Sequence, residues 1–292
     1  MSELLAVEGV TKTYSMGGLF GREAFPAVDD VSFAIAAGRP EIFTIVGESG
    51  SGKTTLSRMI LGLVPPSAGT IRFRSEDVTR LRGGKARMAF MGAVQPIFQN
   101  PFEAFNPLKR VDRYLLMTAR RFRGATSSRL AEETADAALR KVGLSYAEVR
   151  GRFPHELSGG QLQRTAIARA LIPGPALLIA DEPVSMVDAS LRMSIVELFK
   201  SLRDDLKVSI IYITHDLATA YYISDRIIIM QKGKVVEAGS ARSVLDHPQH
   251  RYSILLKQSV LSPEATAKLS PEPDPEPPRH ERSHPSLREA PC

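Results

Sequence analysis

Apolar and polar residues alternate with a period of two along Leu4–Tyr14, Ala27–Ile35 and Thr70–Arg74, the pattern of half-buried antiparallel strands. Ile42–Val46 breaks that alternation with four apolar residues in five, as a strand buried on both faces does. It runs into a glycine-rich stretch, and a helix is predicted over Lys53–Leu63, stopping ahead of Pro65 and Pro66. Farther on the period lengthens. Leu130, Ala131, Ala138, Leu139 and Val142 fall on one face of a helix over Arg129–Val142 that Gly143 ends, so residues from about 100 to 156 read as a helical insert. Strands and helices then alternate through Ala176–Ala180, Ser190–Leu206, Val208–Thr214, Asp216–Ile223 and Arg226–Met230, which predicts parallel strands with crossover helices in a three-layer α/β core.

After Leu261 the pattern stops. Ser262–Cys292 holds eight of the chain's 20 prolines and few large apolar side chains, too little burial to offset the entropy of ordering. The expected organisation is one domain over 1–261 and a disordered tail over 262–292. A chain of 292 residues has ample length for a core, and its net charge of +6 permits an acidic partner without requiring one. The single cysteine, Cys292, excludes an intrachain disulfide framework and a four-cysteine metal site. Acidic residues near Met1 do not suit a signal peptide, and no apolar run approaches the ~20 residues that cross a bilayer, so any membrane link is expected through another polypeptide or surface contact.

Within this frame lie the residues that carry chemistry. Gly47, Glu48, Ser49, Gly50, Ser51, Gly52, Lys53 and Thr54 match G-x-x-x-x-G-K-[ST], followed by Thr55. Between a buried strand and a helix, such a loop wraps phosphate oxygens with backbone N–H groups, while its lysine reaches the β and γ phosphates and its threonine holds magnesium. The apolar run ending in Asp181 and Glu182 reads as a strand presenting a metal-positioning carboxylate beside a second carboxylate suited to take a water proton. Adjacent strand residues point to opposite sides, so Asp181 and Glu182 see different partners and cannot share a role. Nucleotide hydrolysis is the reaction these parts imply. Leu157-Ser158-Gly159-Gly160-Gln161 alone is no more than a helix N-cap with a tight turn. Its Ser158 stands 105 residues after Lys53 and 23 before Asp181, and His215 follows another apolar strand.

This ordered set resembles the ATP-binding cassette of ABC transporters across residues 4–260. The resemblance implies an α/β fold: a P-loop ABC ATPase core with an antiparallel β subdomain and a helical subdomain, bearing the disordered C-terminal tail. It implies ATP and Mg2+ as cofactors. Asp181 would bind magnesium largely through water, Glu182 would be the catalytic base, and His215 would be the switch residue on the γ-phosphate. Gln99 would join Thr54 and Asp181 at the metal, Tyr14 would stack on adenine, and Asp188 would lie in the loop crossing the dimer interface. Ser158, Gly159, Gly160 and Gln161 would be donated to ATP held by a second cassette.

The segments Gly18-Leu-Phe-Gly21-Arg22, Phe98-Gln99-Asn100-Pro101, Asn106-Pro107 and the histidine–proline segment His247-Pro-Gln-His-Arg-Tyr252-Ser-Ile-Leu-Leu256 point by resemblance to the oligopeptide/dipeptide importer branch. Its implied partners are a second ABC ATPase subunit, forming a heterodimer rather than a homodimer, two membrane permease subunits and, indirectly, an extracytoplasmic solute-binding protein. No nucleic acid is expected, and the implied location is the cytoplasmic face of the membrane. Met186 and Val187 depart from the branch's Ser-Ala-Leu-Asp, which puts packing at that interface in question. The alternative is a soluble cassette ATPase of DNA repair or translation, which would share these motifs but carry a long coiled-coil insert or a fused second cassette.

Overall fold

The structure, a computed structural model, describes residues 2–261 apart from 19, 20 and 82. The expected tail disorder falls outside the described residues. The first strands are β1 (Glu3–Gly18), β2 (Gly21–Ala36) and β3 (Ile42–Val46), followed by α1 (Lys53–Ile60), β4 (Ala68–Phe73) and β5 (Glu76–Asp77). Then come α2 (Gly84–Ala93), β6 (Val94–Ile97), α3 (Val111–Arg123), α4 (Ser128–Arg140), α5 (Tyr146–Val149), α6 (Gly159–Leu171) and β7 (Leu177–Asp181). The last third comprises α7 (Ala189–Leu206), β8 (Ser209–Thr214), α8 (Leu217–Ile223), β9 (Arg226–Gln231), β10 (Lys234–Ser240), α9 (Ala241–Asp246) and α10 (Arg251–Leu261).

The alternating N-terminal segments form an antiparallel sheet of order β2-β1-β4-β5. β1 and β2 continue past the predicted ends to the pair Gly18↔Gly21, because a backbone ladder extends a hairpin where no apolar face is left to signal it. The second sheet has order β10-β9-β3-β8-β7-β6. β3 pairs in parallel with β8 and β9, β8 with β7, and β7 with β6, as the strand–helix alternation predicts. Among the described residues β5, α2, β6, β10, α9 and α10 escaped the pattern. α2 buries only Phe90, β10 buries no residue, and β6 is four residues long with Pro96 inside it. β6 lies at the sheet edge, where proline's missing N–H costs least.

Alternation along β3 divides the core. Phe43 and Ile45 face the N-terminal sheet with Leu56, Met59 and Ile60 of α1 between the layers, while Ile42 joins Leu178, Ile210 and Tyr212 beneath the helices around α6. Val46 belongs to a third cluster with Ile227, Ile229 and the C-terminal helices. The registers Val46↔Thr214, Asp181↔Ile213 and Ile97↔Ala180 align the carboxyl ends of four parallel strands, the edge at which open α/β sheets bind ligands.

Candidate active site

The loop between β3 and α1 is shaped by contacts only glycine permits. A Cβ on Gly47 would stand 2.3 Å from the Met230 carbonyl oxygen on β9. Gly52 has φ 101° and its Cβ would lie 2.2 Å from the Ala27 carbonyl oxygen on β2. Gly50 differs: it needs its positive φ for the turn, with open space around it. Lys53 folds back beneath the loop, its Nζ donating to the carbonyls of Gly47 at 2.6 Å and Glu48 at 2.7 Å. Burial lowers the Lys53 pKa, opposed by the negative charges of Glu182, Asp181 and Glu48. Gly52 offers no side-chain cap to α1, leaving the first-turn N–H groups for an anion. Ser49 is exposed, Ser51 buried and Thr55 half-buried around this turn.

Asp181 ends β7 beneath the same helix start. It accepts hydrogen bonds from the Thr54 hydroxyl and, at 3.3 Å, from Ser57 Oγ. Burial nevertheless raises its pKa; those hydrogen bonds and Lys53 act against the shift. Ser57 was not singled out by motif, although its helical spacing of three from Thr54 places it on the same face.

Glu182 requires a correction. It does not diverge from Asp181 by strand alternation, because β7 stops at Asp181 and Glu182 has a left-handed φ of 46°. Its N–H donates to the Ile213 carbonyl at 2.9 Å, and its own carbonyl accepts from Ser185 Oγ at 2.9 Å, which holds a conformation that costs non-glycine residues energy. The turn delivers the carboxylate to two partners. Oε2 accepts from Gln99 Nε2 at 3.2 Å, and Oε1 lies 3.1 Å from His215 Nδ1. Glu182 is mostly covered, whereas the His215 side chain remains 60% exposed. Gln99 follows β6, Glu182 follows β7, and His215 follows β8, so three adjacent strand ends meet at one carboxylate.

Other expected residues lie elsewhere. Tyr14 stands on β1 directly opposite Phe25, with ring centroids 6.3 Å apart and both rings partly exposed. Phe25 was missed; only the cross-strand register reveals it. Ser158 caps α6 by accepting from the Gln161 N–H at 3.2 Å, while Gln161 Oε1 accepts from the Ser158 N–H at 3.1 Å. Among the described residues, no hydrogen bond joins 157–161 to the phosphate loop. A Cβ on Gly160 would meet Leu191 Cδ1 at 3.0 Å, so this segment abuts the start of α7. Asp188 precedes α7 with no side-chain capping bond. Val187 is buried and Met186 exposed, so the departing pair is split between core and surface.

A family model described as ABC transporter matches residues 28–185. The chain is 37% identical to the oligopeptide transport ATP-binding protein AppF of Bacillus subtilis, over 88% of this chain and 78% of that protein. It is 39% identical to the oligopeptide transport ATP-binding protein OppF of Haemophilus influenzae, over 83% of this chain and 72% of that protein. Among solved structures it is similar to a dimeric ATP-binding cassette in a post-hydrolysis state bound to ADP and Pi, with TM-score 0.71 and 28% identity over 82% of this chain and 99% of that one.

Proposed function

The chain belongs to the ABC transporter family and is an ATP-binding cassette ATPase, and from that premise we propose that it energises an oligopeptide or dipeptide importer, hydrolysing ATP at sites completed between two cassettes. The carrying observation is the junction of Gln99, Glu182 and His215 at the strand ends beside Lys53, Thr54 and Asp181. Import of peptides is favoured by the similarity to AppF and OppF along most of the chain.

In this reading the loop N–H groups and the start of α1 bind the phosphates, and Lys53 supplies positive charge from below. Thr54, Asp181 and Gln99 form an all-oxygen set suited to magnesium, which favours one or two carboxylates together with substrate phosphates. A carboxylate whose burial disfavours its charge fits a cation. Magnesium, when bound, neutralises charge on the β and γ phosphates. Glu182 accepts a proton from the attacking water, a contribution of ~10²–10⁴-fold in rate. His215 orients Glu182 and reaches the γ-phosphate, and Gln99 reports the site to the helical segment. Tyr14, with Phe25 beside it, stacks on the base. Ser158, Gly159, Gly160 and Gln161 face the γ-phosphate of the partner cassette, with Asp188 at the seam.

A groove of about 310 Å³ lies next to Gln99, with Leu63, Phe90, Pro96, Phe98 and Phe122 in its walls and Arg87 and Arg169 also lining it. Its occupant in this reading is a cytoplasmic helix of a permease subunit, so movement there is felt one residue from Gln99. No described helix is long and apolar enough to cross a membrane, in keeping with peripheral attachment to two permease subunits at the cytoplasmic face. A heterodimer of cassettes and an extracytoplasmic solute-binding protein complete the assembly. The repair or translation reading is not favoured: α3 and α4 have 13 residues each, far short of a coiled-coil arm. The test is reconstitution of the full chain with its permease subunits, partner cassette and solute-binding protein in vesicles. ATP-driven uptake of labelled oligopeptides is expected; a hydrolysing chain that joins no membrane polypeptide overturns the importer assignment.

A further inference from the structure

The phosphate loop is tied to a part of the chain that carries no phosphate motif. The hydroxyl of Tyr252, in the first turn of α10, accepts a hydrogen bond at 3.0 Å from the backbone N–H of Glu48. That N–H belongs to the Gly47–Glu48 peptide, whose carbonyl accepts from Lys53 Nζ at 2.6 Å. In a planar trans peptide, N–H and C=O point to opposite sides. Tyr252 and Lys53 therefore grip one peptide plane from its two edges, and rotating that plane breaks both contacts.

The next carbonyl, of Glu48, accepts from Lys53 Nζ at 2.7 Å and from the Ser51 N–H at 3.2 Å, so the Glu48 N–H is held by Tyr252 and the carbonyls on either side of it by Lys53. Glu48, Ser49 and Gly50 are exposed, and Gly50 has open space where a side chain would be. Tyr252, by contrast, is firmly seated: it is 6% exposed and belongs to the cluster of Val46, Leu217, Ile229 and Val244. Its segment is pinned to β10, where the Glu237 carboxylate accepts from the N–H groups of Gln249 at 2.9 Å and His250 at 3.2 Å. Burial raises the Tyr252 pKa more than the Glu48 N–H lowers it, so the hydroxyl stays neutral at physiological pH.

Resting on the ATPase reading above, we propose that Tyr252 is a positioning residue of the nucleotide site: its hydroxyl fixes the Gly47–Glu48 peptide and thereby the seat of the Lys53 ammonium. ATP affinity then depends on the docking of the C-terminal segment, which lies outside the residues 28–185 matched by the family model.

Tyr252→Phe keeps the ring and removes only the hydroxyl. In the full chain, magnesium–ATP should bind about fivefold more weakly, the factor expected for one net hydrogen bond. In the assembled transporter KM should rise with kcat unchanged, because Glu182 and its partners are untouched. Amide exchange should quicken at residues 48–53 and stay unchanged in α8 and β9. Unaltered ATP affinity and loop exchange, with wild-type chain binding ATP, overturn this inference alone. Acceleration spread evenly over α8, β9 and the loop also overturns it, since Tyr252 would then be only a core residue. Failure of the wild-type chain to bind ATP overturns the ATPase reading itself. Tyr252→Leu, lacking ring and hydroxyl, should lose thermal stability as well, which separates the packing role from the positioning role.

Discussion

The phosphate-loop half and the Leu157–Gln161 half of this molecule present their polar groups in opposite ways. Around Lys53 and Asp181, side chains from distant parts of the chain converge beneath the loop, and two buried charges carry a desolvation cost. Around Ser158, the side chains of Ser158 and Gln161 each accept the other residue's backbone N–H at a single helix start. The first arrangement is a grip shaped before its ligand arrives, with its energetic debt held in burial. The second leaves Ser158 and Gly159 exposed, with Gly160 buried against Leu191. The proposed composite site pairs one half of each kind.

The largest effect should come from the phosphate-loop half. Glu182→Gln retains the hydrogen-bonding shape but cannot take a proton, so steady-state hydrolysis by the assembled complex should fall by ~10² or more with ATP binding preserved. Undiminished turnover would remove Glu182 from the base role.

Gly160→Leu tests whether the Leu157–Gln161 half acts only on a partner. The new side chain must displace the flexible end of Leu191, a local adjustment, so ATP affinity of the isolated chain should stay within about twofold while ATP-driven pairing weakens at least about tenfold, the factor given by ~1.4 kcal/mol. Equal losses of binding in the isolated chain and of pairing would place the segment in its own nucleotide site and erase the contrast.

Ser158→Ala removes one side of a reciprocal cap. Denaturant unfolding should show a loss of ~1 kcal/mol, the usual cost of an N-cap. A null change in stability would mean that the hydroxyl is not committed to α6.

Asp181→Asn addresses the burial cost by pH. The folded-state pKa of Asp181 is raised, so its carboxyl favours folding below the unfolded value and loses that contribution as pH rises through the folded value. At neutral pH the nucleotide-free variant should therefore melt slightly higher than wild type, by about 2 °C, and the gap should close toward pH 4. With magnesium and ATP the order should reverse, since only the wild type gains a carboxylate–cation contact. A variant less stable at pH 7 without nucleotide would show that Asp181 is held by its hydrogen bonds rather than penalised by burial.

Much of the architecture was legible because burial leaves periodic traces. β3 and the β7–β8 alternation announce themselves through apolar runs, and both appear at the expected places. α2, β6 and β10 left little trace because they bury few residues or contain Pro96 at an edge. Motif spacing marked Lys53, Asp181 and His215. It was blind to Ser57 and Phe25, which owe their positions to a helical neighbour and a strand register, and it marked Tyr252 only as part of the histidine–proline segment, not as a partner of the phosphate loop.

By itself, then, the sequence determined local chemistry: a glycine loop able to cradle phosphate, a carboxylate pair at a strand end, and a family membership written in their order. Tertiary structure decided which groups meet. The left-handed turn at Glu182, the meeting of that carboxylate with Gln99 and His215, and the two-sided hold on the Gly47–Glu48 peptide all depend on strand order and register. Of these, the Glu182–His215 and Glu48–Tyr252 contacts join residues 33 and 204 positions apart. Local periodicity and propensity carry no information over such separations; burial of a shared core supplies it.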